Sequence, residues 1–335
     1  MSSPRRLLIS RALRADSFEK ENHEGIEFTY IESKLNKNTV SLAKDYDTVV
    51  GFVNDDIYKD VINELIAQNK KAIFLRCSGF NNVSINTANK KLRIYRVPEY
   101  SPYAVAEHAF ALLLTSIRRI HKAYNRTKEF NFSLEGLVGF DLHNKTIGLI
   151  GVGKIGRVMA NIASGFGMNV LVYDPYSSVK PVNFKYVTLN KLLTNSDIIS
   201  LHCPLTKTTE YILNDKTLKL VKKDAIIINT SRGALIDSKA LLKAIKSRRI
   251  GGACLDVYEE ESDIFFEDKS NHILDDEILR DLISMPNVIV TSHQAFLTSE
   301  ALSNIAKTTI SNIKNFYSGV PNVYNEVNKN LVVIK

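Results

Sequence analysis

Arg232, a run of three glutamates at 259–261, and His293 are the residues of this chain best suited to moving a proton beside a held anion. Each follows an apolar run. Asn229-Thr230-Ser231-Arg232-Gly233 comes after one, Asp256-Val257-Tyr258-Glu259-Glu260-Glu261 after the next, and Thr291-Ser292-His293-Gln294 after the last. A guanidinium grips a carboxylate through two parallel hydrogen bonds, an imidazole gives or takes a proton near neutral pH, and a neighbouring carboxylate favours the imidazolium. Taken singly, each has an ordinary reading as a surface arginine, a solvated acidic turn or a histidine satisfied by its surroundings. Spacing alone does not say which of the three glutamates would meet the histidine.

A second constellation lies at 145–176. Thr146 to Ile150 form a short apolar run that opens into Gly151-Val152-Gly153-Lys154-Ile155-Gly156, followed by helical spacing of Ile155, Val158, Met159, Ile162 and Phe166. Gly167 stops that helix, and a second apolar run, Asn169 to Tyr173, ends on Asp174. Strand, glycine turn and helix in this order make a dinucleotide site: Gly151 permits the tight turn, Gly153 lets backbone amides approach a pyrophosphate, and Gly156 lets helix and strand pack closely. The pyrophosphate then sits on the positive end of the helix. Asp174 stands 23 residues beyond Gly151 (174 − 151), where a carboxylate accepts the ribose hydroxyls of NAD and repels the extra phosphate of NADP. Pro175 and Tyr176 follow it, with no arginine, so NAD is the expected cofactor.

Strands and helices must position both constellations. Arg6 to Ser10, Glu27 to Glu32, Thr48 to Val53, Lys71 to Cys77 and Leu92 to Val97 read as strands, with a helix over Ile57 to Gln68. After two prolines, Pro98 and Pro102, one long helix is expected from Tyr103 to Thr127, with an apolar face running from Val105 to Ile120. Further strands are expected at Ile198 to Cys203, Ala225 to Thr230, Gly252 to Val257 and Val288 to His293, with helices at Lys239 to Arg248 and Ser299 to Phe316. This alternation predicts an α/β protein of two doubly wound parallel-sheet domains. Residues 101–298 would form a Rossmann-like nucleotide domain inserted in a discontinuous partner made of residues 1–100 and 299–335, with the cleft between them.

Composition narrows the class. The 335 residues are 44% hydrophobic and 24% charged, as expected for a soluble enzyme with ample core. No apolar run spans a bilayer, and the N-terminus is too polar for a secretory signal. Cys77, Cys203 and Cys254 are widely spaced, form no metal pattern or disulfide framework, and suit a reducing cytoplasm. The net charge of +8 comes from lysines spread along the chain, which points to anionic small ligands rather than nucleic acid.

The motifs GVGKIG, SLHCP, INTSRGALID, LDVYEEE and TSHQAF, with FVNDD, RCSGFNN, VPEYSPYAVAEHA and FFEDKSN, resemble those of the NAD-dependent D-2-hydroxyacid dehydrogenases, and most closely the bacterial fermentative D-lactate branch. The resemblance runs from about Val50 to Asn325. It implies a flavodoxin-like substrate domain and selects Arg232 as the substrate anchor, His293 as the proton donor and Glu261 as its partner. It carries cofactor contacts onto Gly151, Gly153, Lys154, Ile155, Gly156, Asp174, His202, Cys203, Pro204, Thr209, Thr230, Ser231, Arg232 and Asp256, and substrate contacts onto Ser78, Gly79, Tyr100, Arg232 and Phe296. No metal is implied.

The activity implied is reversible reduction of pyruvate to D-lactate by NADH, or of another 2-oxo acid such as phenylpyruvate, 2-oxoisocaproate or hydroxypyruvate. A similar triad also occurs in the C-terminal binding protein corepressors, which sense NAD without turnover; the enzyme is favoured by the lactate-type residues Phe266 to Asn271. The resemblance further implies a homodimer or homotetramer. His108 and His121, on the long helix, read as packing or surface residues, and Cys203 as an inert neighbour of the cofactor.

Overall fold

The computed structural model describes residues 4–10, 16–88, 91–177, 184–261 and 264–327. The chain divides into two compact units, Met1–Ser101 with Phe296–Lys335, and Pro102–Ala295.

In the first unit, β1 (Arg5–Ser10), β2 (Ile26–Ile31), β3 (Thr48–Gly51), β4 (Ala72–Leu75) and β5 (Arg93–Tyr95) make one parallel sheet of order β2-β1-β3-β4-β5. That is the doubly wound, flavodoxin-like order. Successive side chains enter opposite cores. Leu7, Ile9, Val50, Phe74 and Tyr95 pack with Ile310 and Ile313 of the Ser299–Tyr317 helix, while Leu8, Val49, Ile73 and Leu75 pack with Ile62 and Leu65 of the Lys59–Ala67 helix. Because both faces are covered, the central strands read as unbroken apolar runs rather than as alternating ones.

The second unit contains β6 (Thr146–Ile150), β7 (Asn169–Tyr173), β8 (Lys185–Tyr186), β9 (Ile198–Leu201), β10 (Ile226–Asn229), β11 (Gly252–Leu255) and β12 (Val288–Val290). Their order, β12-β11-β10-β9-β6-β7-β8, is parallel throughout and reverses direction between β6 and β9. A reversal of this kind opens a crevice at the carboxyl ends of the two strands, and ligands bind there. Ile226 and Ile228 enter a core with the Pro102–Ile117 and Lys154–Gly165 helices, and Ile227 enters the opposite one.

Two expectations are corrected. The long helix over Tyr103 to Thr127 is two helices, Pro102–Ile117 and Ile120–Lys128, separated by Arg119 in a left-handed conformation (φ 53°). The second piece buries none of its residues, so the apolar stripe that would carry the helix onward ends at Ile117. Gly139 closes against that end, where an added Cβ would lie 2.1 Å from the Ile117 carbonyl oxygen. The strand expected over Val288 to His293 stops at Val290. His293 is itself left-handed (φ 52°) and its amide turns to the Asp256 carbonyl, which ends the ladder.

The FVNDD loop of the first unit is pinned by a buried carboxylate. Asp55 accepts the amides of Leu35 (2.7 Å) and Phe52 (2.6 Å) and the Ser10 hydroxyl. Replacing Asp55 by Ala strands three buried donors and is expected to lower stability by about 2–4 kcal/mol in urea denaturation, at the usual desolvation cost per orphaned group. An unchanged midpoint would show that the loop is held by other contacts.

Candidate active site

At the β6–β9 crevice a cavity of about 580 Å³ is lined by Gly151, Val152, Gly153, Asp174, His202, Cys203, Pro204 and Thr209, among others. The glycines divide the labour by geometry. Gly151 has φ +92°, and a Cβ there would lie 2.7 Å from the Cys203 amide nitrogen. At Gly156 a Cβ would meet the Gly151 carbonyl oxygen at 2.3 Å, whereas at Gly153 nothing lies within 4 Å of it. The open space over Gly153, at the start of the Lys154–Gly165 helix, is the cradle a pyrophosphate needs.

Asp174 stands just past β7, with Oδ2 on the Val152 amide (2.9 Å) and Oδ1 on the Tyr176 amide (3.0 Å). Each oxygen keeps a further lone pair for a ribose hydroxyl. His202 lies across the crevice with Nε2 2.8 Å from the Ser200 hydroxyl, and burial pushes its pKa down to about 4, so it is neutral. Burial pushes the Cys203 thiol up to about 12, which makes it a packing residue and no nucleophile. These residues fit NAD. Lys154 and Ile155 open the helix, Ile155 resting on its core.

The residues expected to handle the proton gather on loops after three neighbouring strands. Glu261 Oε1 lies 2.8 Å from His293 Nδ1, and Glu261 Oε2 accepts the Tyr258 amide (3.1 Å). The other glutamates point elsewhere: Glu259 accepts from the Tyr211 hydroxyl and the Ser238 amide, and Glu260 is exposed. Phe266 covers His293, with ring centroids 5.9 Å apart. Gly233, next to Arg232, lies directly on the acidic loop, because a Cβ there would come within 2.1 Å of the Tyr258 carbonyl oxygen. The Arg232 loop is tied further by Asn229, whose Nδ2 donates to the Arg232 carbonyl (2.8 Å), and by Ser231, whose hydroxyl donates to Cys203 O (2.8 Å). Arg232 Nη1 donates to the Ser231 carbonyl (2.6 Å). Thr230 is nearly buried, and its hydroxyl has no partner.

Asp256, expected among the cofactor contacts, is fully buried and sits beneath the histidine loop. Its carbonyl accepts the His293 amide (2.7 Å), Oδ1 the Gln294 amide (2.9 Å), and Oδ2 the Ala295 amide (2.8 Å). Oδ1 also accepts the Thr291 hydroxyl (2.6 Å) and lies 3.3 Å from His108 Nε2. Burial alone would raise its pKa; the hydrogen bonds outweigh that and hold the carboxyl below the usual range. His108 is therefore part of a polar network and not merely a packing residue, a role with no signal in its helical spacing.

In the first unit, Tyr100 and Phe52 both pack on Phe296, with centroids 6.2 and 6.1 Å away, and Arg76 lies 4.1 Å over Phe52. The Ser78 carbonyl accepts Arg96 Nη1 (2.9 Å), and the Gly79 carbonyl lies 3.3 Å from Cys77 Sγ. Arg157, Tyr176, Thr206 and Thr208, which the motif reading did not single out, also line the crevice cavity. Thr206 and Thr209 cap one another's turn, with the Thr206 amide 2.7 Å from Thr209 Oγ1, and the T-K-T-T spacing was the available signal. Among the described residues no group of three or more His, Cys, Asp or Glu could hold a metal.

The family model for the D-isomer specific 2-hydroxyacid dehydrogenase NAD-binding domain matches residues 110–295. A 2-hydroxyacid dehydrogenase homolog of Zymomonas mobilis is 47% identical over 90% of this chain and 93% of its own. The D-lactate dehydrogenase of Escherichia coli is 48% identical over 88% of this chain and 91% of its own. The apo structure of D-lactate dehydrogenase from Escherichia coli superposes with a TM-score of 0.87 at 42% identity, over 96% of this chain and 100% of that one.

Gly151→Ala is expected to weaken NADH binding at least about 10-fold, since the new Cβ meets backbone and the left-handed conformation is lost. Fluorescence titration with NADH reads this directly, and wild-type affinity would place the cofactor elsewhere.

Proposed function

This chain belongs to the D-isomer specific 2-hydroxyacid dehydrogenase family, and from that premise we propose that it interconverts pyruvate and D-lactate with NAD as cofactor. The observation that carries the reading is the His293–Glu261 contact, joined through Tyr258 and Gly233 to the loop that bears Arg232.

With Nδ1 engaged by Glu261, His293 presents Nε2 as its remaining proton-carrying atom. Arg232 supplies a planar fork for the substrate carboxylate, steadied by its hydrogen bond to the Ser231 carbonyl. That grip sets the ketone within reach of Nε2, so the proton lost from imidazolium goes to the ketone oxygen as negative charge develops there. Glu261 compensates the imidazolium before transfer, and its own carboxylate is kept in place by the Tyr258 amide. In the oxidative direction neutral His293 takes the hydroxyl proton. Bound NADH supplies the hydride for the carbonyl carbon. Gly151, Gly153, Asp174 and the Cys203–Pro204 turn would hold the cofactor, and the family pattern assigns further substrate contacts to Ser78, Gly79, Tyr100 and Phe296. The Asp174 carboxylate supports NAD over NADP.

The working form is a homo-oligomer in the cytoplasm. Phe130 (83% exposed), Phe132 (71%), Leu134 (79%) and Val138 (89%) leave an apolar segment uncovered on the second unit, larger than scattered surface residues explain. The three cysteines are buried and none forms a disulfide, as a reducing compartment allows, and no described helix is long and apolar enough to cross a membrane.

His293→Gln is expected to lower kcat for pyruvate reduction by about 10²–10⁴-fold, the worth of a positioned acid, and Arg232→Lys to raise KM and lower kcat together. Steady-state rates over a series of 2-oxo acids test both variants and the substrate; a preference for a bulkier acid replaces pyruvate, and near-wild-type rates in both variants remove the mechanism. Light scattering is expected to give a mass above the 37.7 kDa of one chain, falling towards it in a Phe130→Ser, Phe132→Ser variant.

A further inference from the structure

We propose that His108 is a positioning residue for proton transfer, acting through Asp256 to hold His293 in its working conformation. The inference rests on the acid–base role proposed above for His293. His108 belongs to the Pro102–Ile117 helix, far from the acid–base loops in sequence, yet its Nε2 lies 3.3 Å from Asp256 Oδ1 and 3.2 Å from Thr291 Oγ1.

The direction of these bonds follows from the donor inventory. Thr291 has one hydroxyl proton and spends it on Asp256 Oδ1 at 2.6 Å. Both atoms facing His108 Nε2 are therefore acceptors, and Nε2 carries a proton shared between them. Asp256 is fully buried and needs every donor it has, because a desolvated carboxylate that loses one is strongly penalised. Its other donors include the consecutive amides of Gln294 and Ala295, while its carbonyl takes the amide of His293. Three successive amides thus end on one residue, and this arrangement holds His293 at φ 52°, a conformation that a non-glycine residue keeps only when its surroundings impose it.

The groups around the two histidines are few. Asp256 and Thr291 face His108; Glu261 and Phe266 face the His293 ring. Withdrawing His108 leaves Asp256 short of a donor, loosens the 293–295 turn and moves the imidazole off the Glu261 carboxylate. A purely packing role would make the helix less stable without disturbing that contact.

The test uses the full-length protein with three variants: His108→Leu, His108→Gln and Thr291→Val. Two readouts are taken, kcat against KM for pyruvate and NADH, and the low-field Nδ1 proton resonance of His293, assigned by its loss in His293→Gln. The Leu variant is expected to lower kcat about 10- to 100-fold with the KM for NADH unchanged, and to broaden or abolish the resonance. Gln, whose side-chain amide can donate from a similar position, restores both. A folded Leu variant with wild-type kcat and an intact resonance overturns the proposal, as does a loss that Gln fails to restore. If the Leu variant does not fold, Thr291→Val decides: it removes a donor from the same oxygen and leaves the helix packing intact, so loss of the resonance supports the proposal and its persistence overturns it. Absence of turnover with every 2-oxo acid in the wild type would remove the proposed function, while the resonance would still report on His108.

Discussion

A single buried carboxylate holds together the loops that carry His293 and Glu261. Asp256 stands just past β11 with no exposed surface, and the chain after β12 wraps around it so that the amides of residues 293, 294 and 295 all terminate on its oxygens. An unpaired buried charge would cost far more than the loop could return, so the side chain is tolerable only with its donors complete. That requirement works in both directions: the donors keep the carboxylate ionised, and the carboxylate dictates the turn that aims His293. Glu261, on the neighbouring loop, then meets a ring whose backbone is already fixed.

The glycine-rich crevice is governed by a different constraint, the closeness of one backbone to another. Gly151 lies against the His202–Cys203 backbone, Gly156 against Gly151, and Gly233 against the Tyr258–Glu259 peptide. None of these contacts leaves room for a methyl group. The first two shape the crevice between β6 and β9, and the third couples the loop of Arg232 to the loop of Glu261. A guanidinium and an acid–base pair are thereby held on one edge of the sheet by main-chain contacts, which vary far less than contacts between long side chains.

Much of this was legible in the sequence because parallel strands buried on both faces, glycine turns and strand-end polar residues leave local signatures. The β7 run from Asn169 to Tyr173, the start of the Lys154 helix and the carboxylate of Asp174 needed no knowledge of distant residues. Less was legible where the deciding partner is remote. The close approach of Gly139 to the helix end at Ile117 is remote in sequence, the buried role of Asp256 depends on loop residues 35 or more positions away, and His108 meets Asp256 across nearly 150 residues. Local periodicity carries no trace of such contacts.

The sequence by itself determined the class of chemistry: an NAD fingerprint, a guanidinium, carboxylates and an imidazole on the carboxyl ends of parallel strands. These are properties of residue type and short-range spacing, which the chain carries before it folds. Residue type and spacing left open which of Glu259, Glu260 and Glu261 reaches His293, because the three are adjacent and alike. The family resemblance pointed to Glu261, and the tertiary structure brings it to His293 while Tyr211 and Ser238 draw Glu259 away. The tertiary structure also decided that Asp256 anchors a loop from within, since burial and hydrogen-bond saturation exist only once residues distant in the chain have closed around it.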